Sequence, residues 1–173
     1  MKANKKSLWL LILASFLFIN IIAAQSSKKA DKDTQNWRYE IEAVGTGTQG
    51  SYLIKVWSYS KKPVVAIEQA KKNAVHGIIF RGFVGISRVP GQNPLTNNTN
   101  LEIEQEEFFK NFFAEGGKYM KFVNLSNDGT IAPEDRLKVG KEFKIGVIVS
   151  VNAAGLRSDL ENAGIIRSLN SGF

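Results

Sequence analysis

The chain contains no cysteine, and that absence removes several chemistries at once. Without a thiol there is no disulfide staple, no thiolate nucleophile, no iron–sulfur cluster and no leader cysteine to carry a lipid. Histidine is nearly missing too: His76 is the sole one, so a zinc site built from His and Cys ligands is excluded. Calcium or magnesium needs clustered oxygen ligands, and the best cluster is Asn127-Asp128-Gly129 with Glu134 and Asp135. Its spacing lacks the EF-hand pattern, so a plain Asn-Asp-Gly turn is the preferred reading. No metal and no cofactor is expected.

A strong excess of one charge is also missing. The formal net charge is +7, but Lys2, Lys5 and Lys6 lie in the first six residues and leave 20 basic against 16 acidic groups. Lys and Glu are interleaved along the rest, which describes an ordinary solvated surface and argues against a nucleic-acid footprint.

What is present begins with the leader. Three lysines in residues 1–6 precede an uncharged run rich in Leu, Ile and Phe at 7–24, and Ala23, Ala24, Gln25 and Ser26 follow. That order marks a secretory signal peptide, with cleavage near Ala24 or Gln25. A retained anchor is the alternative, because the run is about 18 residues, the lower bound for a spanning helix. Either way the body of the chain is exported and becomes periplasmic or cell-surface associated. Residues 25–36 (QSSKKADKDTQN) carry no periodicity and read as a flexible tether. Residues 37–173 then form one domain, with 43% apolar residues in the chain to build a core.

From Trp37 the pattern has period two. Trp37, Tyr39, Ile41 and Ala43 alternate with Arg38, Glu40 and Glu42; turn residues 45–50 follow; then Tyr52, Ile54 and Val56 alternate with Lys55, Trp57 and Tyr59. A β-hairpin is expected. Pro63 opens an amphipathic helix with Ile67, Ala70, Ala74 and Ile78 at helical spacing, ending between Gly77 and Gly82. Residues 83–89 suggest a short strand and 90–100 a loop. A second helix is expected at 102–115, with Phe108, Phe109, Phe112 and Phe113 on one face, more often core than interface. Residues 119–125 and 141–151 read as strands, 126–133 as a turn-rich connection, and 156–163 as a final helix stopped by Gly164. The expected fold class is α+β: three or four mainly antiparallel strands covered on one face by two or three helices.

Few motifs carry chemistry. The run from Gly45 to Gly50 fits G-x-G-x-x-G, but a dinucleotide loop must open a helix, and here another strand follows, so a hairpin connection is preferred. His76 is a possible general base, yet its place near a helix end favours a structural or surface role. Glu106 and Glu107 are neighbours that point to different helix faces and make a poor acid/base couple. No catalytic residue is assigned. The candidate binding surface is the outer face of the second strand, where Lys55, Trp57, Tyr59 and Lys61 alternate. Trp and Tyr flanked by Lys suit a protein partner, a glycan or a peptide; the competing reading has a tail or helix covering both rings.

A strand ending in a Gly-rich turn (43–50), a second strand, and a helix with spaced alanines (Ala66, Ala70, Ala74) together resemble a family of small bacterial envelope domains. That family includes the N-terminal domain of the flagellar T protein and related outer-membrane lipoproteins. The resemblance covers about residues 37–80 and departs from the lipoproteins in lacking a lipidation cysteine. It implies assembly or scaffolding with another envelope protein and no catalytic residues. The leading expectation is therefore a non-enzymatic binding or assembly module of a bacterial cell envelope, whose only membrane contact is an uncleaved leader. The alternative is an exported hydrolase or transferase whose site is assembled from scattered residues.

Overall fold

The computed structural model describes residues 36–48 and 50–168, together with Lys29. The expected leader, and the tether apart from Lys29 and Asn36, lie outside the described residues. Among those described, no helix is long and apolar enough to cross a membrane.

Five strands form one antiparallel sheet: β1 (Tyr39–Thr46), β2 (Ser51–Ser60), β3 (Val123–Leu125), β4 (Arg136–Val139) and β5 (Glu142–Asn152). The helices are α1 (Pro63–Phe80), α2 (Leu101–Glu104), α3 (Glu106–Phe112) and α4 (Ala153–Asn162), with short 3-10 turns at Lys118–Phe122, Asn127–Gly129 and Pro133–Asp135. The antiparallel α+β architecture is the expected one. The order is β1-β2-β5-β3, with β4 also on β5. β5 is long enough that one of its edges serves two partners, β3 at Val149–Val151 and β4 at Glu142–Ile145.

Alternation along β2 decides which face is buried. Ile54, Val56, Ser58 and Ser60 are buried, and their cross-strand partners Val149, Val147, Ile145 and Phe143 extend that face onto β5. Against it packs α1, through Ala66, Ala70, Ala74 and Ile78, all fully buried. Small alanines let helix and sheet approach closely, and at Gly77 an added methyl would overlap Ile41 of β1. Each Val or Ile in this layer stabilises the fold by roughly 1.5–3 kcal/mol. Leu156 and Leu160 of α4 and Phe109 and Phe112 of α3 complete the same core. Trp57, on the opposite face of β2, is not part of that cluster.

Several elements differ in detail from their sequence patterns. The helix expected at 102–115 is two short pieces, broken at Gln105, where ψ turns to +37°. Residues 119–125 divide into a 3-10 turn and a three-residue strand. Residues 83–89 make two isolated bridges, Phe83 with Gln92 and Ile86 with Val89, in place of a strand. β4 adds a fifth strand to the sheet.

Candidate functional site

The outer face of the sheet holds a lattice of aromatic rings and charges. Its rows follow from the register: Glu40 stands beside Trp57 and Gly146, and Tyr59 beside Lys144 and Leu137. The Trp57 ring lies on Gly146, where an added Cβ would sit 3.0 Å from its six-membered ring. Only glycine leaves room there for the indole to lie against the sheet. Lys55 and Lys144 place their Nζ atoms 5.5 and 5.1 Å from the Trp57 ring centroid, and the Arg38 guanidinium sits 4.3 Å from that of Tyr59. These are cation–π distances.

Each cation is also held by an acid. Lys144 donates to Glu40 at 2.7 Å, Tyr59 donates its hydroxyl to the other Glu40 oxygen at 2.8 Å, Lys55 donates to Asp135 at 2.6 Å, and Arg38 pairs with Glu142. Hydrogen bonds from Lys144 and then Tyr59 hold the Glu40 carboxyl below its usual range. The bond to Glu40 in turn raises the Lys144 ammonium. Partial burial, followed by the Glu40 contact, raises the Tyr59 phenol. The charges therefore stay fixed around neutral pH.

The structure brings Lys55, Trp57 and Tyr59 together as the alternation predicts, and leaves Lys61 out. β2 ends at Ser60, so Lys61 is an exposed residue of the turn before α1. Trp57 is only 8% exposed, whereas Tyr59 is half-buried. The indole Nε1 of Trp57 is buried and has no hydrogen-bond partner among the described residues. Residue types along β2 did not reveal Arg38, Glu40, Asp135, Glu142 or Lys144. The parity of β1 and β5 carried a signal, since Glu40 and Lys144 both fall on the non-core phase of their strands.

His76 occupies the other polar cluster, on the opposite side of the sheet, and is 3% exposed. Its Nδ1 is 2.6 Å from the Tyr39 hydroxyl and its Nε2 3.3 Å from Glu102. A carboxylate only accepts, so Nε2 carries the proton and donates to Glu102, while Nδ1 accepts from Tyr39. Trp37 stacks on the imidazole at 3.7 Å and donates its Nε1 to the second Glu102 oxygen at 2.7 Å. The Trp37 backbone has φ +42°, held in place by Arg81, which donates to its carbonyl. Burial lowers the His76 pKa despite the opposing pull of Glu102. For Glu102, burial pushes upward, but bonds from His76 and Trp37 and the Arg81 charge bring the net result below the usual range. The neutral imidazole beside an ionised Glu102 satisfies every partner.

His76 itself is buried, and neither it nor Glu102 lines the grooves that the described residues form beside β1, β3 and α4. A groove of about 350 Å³ runs between β1 and the segment after α1, lined by residues that include Tyr39, Arg81, Phe83 and Asn93, but neither His76 nor Glu102 reaches it. No serine is hydrogen-bonded to His76 among the described residues. Lys72 is likewise sealed: its ammonium donates to the Phe113 carbonyl at 2.6 Å, 5.4 Å from the Tyr119 ring centroid, and burial lowers its pKa to about 8. A cation there meets the carbonyl end of α3.

The remaining motifs resolve into turns. Of the Gly-rich run, Gly45 and Thr46 end β1 in register with Leu53 and Tyr52, and Gly50, at φ +81°, precedes β2. Asn127, Asp128 and Gly129 take successive left-handed conformations at φ +59°, +51° and +75°. Among the described residues, no three His, Cys, Asp or Glu side chains are grouped to hold a metal. Comparison of the chain with protein families, curated proteins and solved structures finds no match.

Proposed function

We propose that this protein is an exported binding or assembly module of a bacterial cell envelope, engaging another envelope protein through the outer face of its sheet without doing chemistry on it. The observation that carries this reading is the Trp57–Tyr59 pair, set in a fixed lattice of Arg38, Lys55, Lys144 and Glu40 on the face that the helices leave uncovered. Rigid aromatic side chains lose little conformational entropy on binding, and a ring of fixed charges selects the partner and its orientation. Tyr59, half-buried and near the end of β2, is the more accessible ring of the pair, while Trp57 lies buried beside Lys55 and Lys144. The basic, apolar and small-residue regions of residues 1–26 support export, and the resemblance of residues 37–80 to envelope assembly domains supports the setting.

The test is cross-linked capture from envelope extracts, comparing the native protein with Trp57→Ala and Tyr59→Ala. The expected result is a specific partner recovered by the native protein and lost in the double variant, with circular dichroism showing both folded. Retention of every partner by a folded double variant would remove this face from consideration. Recovery of the native protein in the cytosol with residues 1–24 attached would end the export reading.

A further inference from the structure

The sheet has two lateral edges, and they are built differently. β1 forms one. A register shift between Ala43 and Gly45 marks a bulge there, Glu40 and Glu42 alternate along it, and residues 82–84 flank the groove beside it. Bulges and inward-leaning charges are standard ways of blunting an edge. β4 lies on the other edge and pairs only with β5. On its far side it makes no backbone hydrogen bond among the described residues.

All four β4 residues are exposed, and they alternate without exception. Leu137 and Val139 stand in register with Lys144 and Glu142 on the outer face, 45% and 48% exposed. Arg136 and Lys138 point to the opposite face, where the Arg136 guanidinium lies 5.0 Å from the Phe143 ring centroid and neither cation forms an ion pair with a described residue. Two residues, Gly140 and Lys141, connect β4 to β5, with Gly140 at φ +60°. The strand is thus held by a tight hairpin, with one apolar row, one cationic row and, among the described residues, a backbone edge without a partner strand.

We propose that β4 is a strand-addition site for an extended acidic segment of a partner protein in which Asp or Glu alternates with aliphatic residues. Such a segment lies beside β4 as a sixth strand. Its aliphatic side chains flank Leu137 and Val139, its carboxylates flank Arg136 and Lys138, and main-chain bonds join the two. Charge complementarity selects the occupant. The cations repel basic strands and leave apolar ones facing unpaired charge, so the same residues that protect the edge from aggregation admit an acidic strand. A four-residue edge offers few main-chain bonds, so binding is weak for an isolated segment and is strengthened by the neighbouring Tyr59 face. This proposal rests on the binding-module reading and names the chemistry of its partner.

The probe is a capped hexapeptide of alternating Glu and Val, titrated into the 15N-labelled domain. Shifts concentrated at the amides of 136–139 and weakened by added salt are expected. Three controls follow: an alternating Lys and Val peptide, the acidic peptide N-methylated at alternate residues, and the double variant Arg136→Glu with Lys138→Glu. Each is expected to weaken binding about tenfold or more. Both substituted side chains are exposed, and the dispersed amide spectrum reports whether the double variant is folded. Unweakened binding of the N-methylated peptide would overturn strand addition, leaving a charge contact only. Shifts at β1, or none at 136–139, would overturn the site, as would anionic vesicles shifting 136–139 where the peptide does not. If the peptide fails while Trp57→Ala and Tyr59→Ala still lose an envelope partner, the edge proposal falls and the binding module stands.

Discussion

Because His76 is the sole histidine of the chain, its protonation can be followed without assignment ambiguity. The imidazole is buried, stacked on Trp37 and bonded to Tyr39 and Glu102, and burial depresses its pKa below the ordinary 6.5. The sign of the linkage is fixed by which state holds more protons. Below pH 6.5 the unfolded chain takes up a proton that the folded imidazole resists, so stability is intact above 6.5 and falls as the pH drops toward the folded pKa. One proton sets the limit at about 1.4 kcal/mol per pH unit, a sizeable loss for a domain stable by roughly 5–15 kcal/mol. Glu102, depressed below 4.5, acts in the same direction but only below its own unfolded value, which separates the two windows. Urea unfolding at several pH values between 7.5 and 5, together with NMR titration of the single imidazole Cε1–H, measures both quantities. His76→Phe should abolish the slope in that window. It should also lower stability at pH 7.5, by about 1–3 kcal/mol for the buried Tyr39 hydroxyl left without its acceptor, while Glu102 keeps its Trp37 donor. A titration midpoint at or above 6.5, or an unchanged slope in His76→Phe, would refute the buried neutral tautomer.

Three further outcomes follow from the packing. Gly146→Val drives its Cβ and methyl carbons into the Trp57 ring; a loss of about 1–3 kcal/mol and a red-shifted tryptophan emission are expected, and an unshifted spectrum would mean the ring does not rest there. In Lys72→Met the rise in stability between pH 8 and 10.5 should disappear, since the folded ammonium titrates at about 8 and the unfolded chain holds its proton longer. Trp57→Phe should cost clearly less by thermal unfolding than Trp57→Ala, because it keeps a ring on Gly146 and removes a buried N–H that has no partner among the described residues; equal losses in the two variants would refute this reading of the site.

The hairpin, α1, β5 and α4 were legible because each writes one period without interruption. In β2 the core row Ile54, Val56 and Ser58 and the outer row Lys55, Trp57 and Tyr59 are both visible in the order of residues. β4 was not, because Arg-Leu-Lys-Val is too short to distinguish from the turn before it, and its pairing depends on β5. The break at Gln105 also has no local mark, as Leu101, Phe108 and Phe112 continue a helical spacing across it. The charge lattice was half legible. Trp57 and Tyr59 suggest a face by themselves, but their partners come from Arg38, Glu40, Asp135, Glu142 and Lys144, among which Arg38 pairs with Glu142 and Glu40 with Lys144 across 104 residues. Only the register joins them. The Trp37–His76–Glu102 cluster was hidden for the same reason, since His76 and Glu102 are 26 residues apart.

The two polar clusters of the domain answer to different physics, and the difference bears on where a partner docks. Around His76 each group is matched: Tyr39 and Trp37 donate, Glu102 accepts with both oxygens, and the ring faces are covered. A partner reaching it would have to break bonds already made in a low-dielectric site, where an unpaired group is expensive. On the outer face Glu40 and Lys144 stay 54% and 20% exposed in their side chains, so solvent already screens them and exchanging water for a partner's groups costs little. Next to that face β4 presents, among the described residues, a backbone edge without a partner strand and a cationic row without an ion pair. The proposed recognition is therefore placed on the outer face and its β4 edge, while the His76 cluster fastens Trp37, the point at which the chain enters β1, to the helical side of the fold.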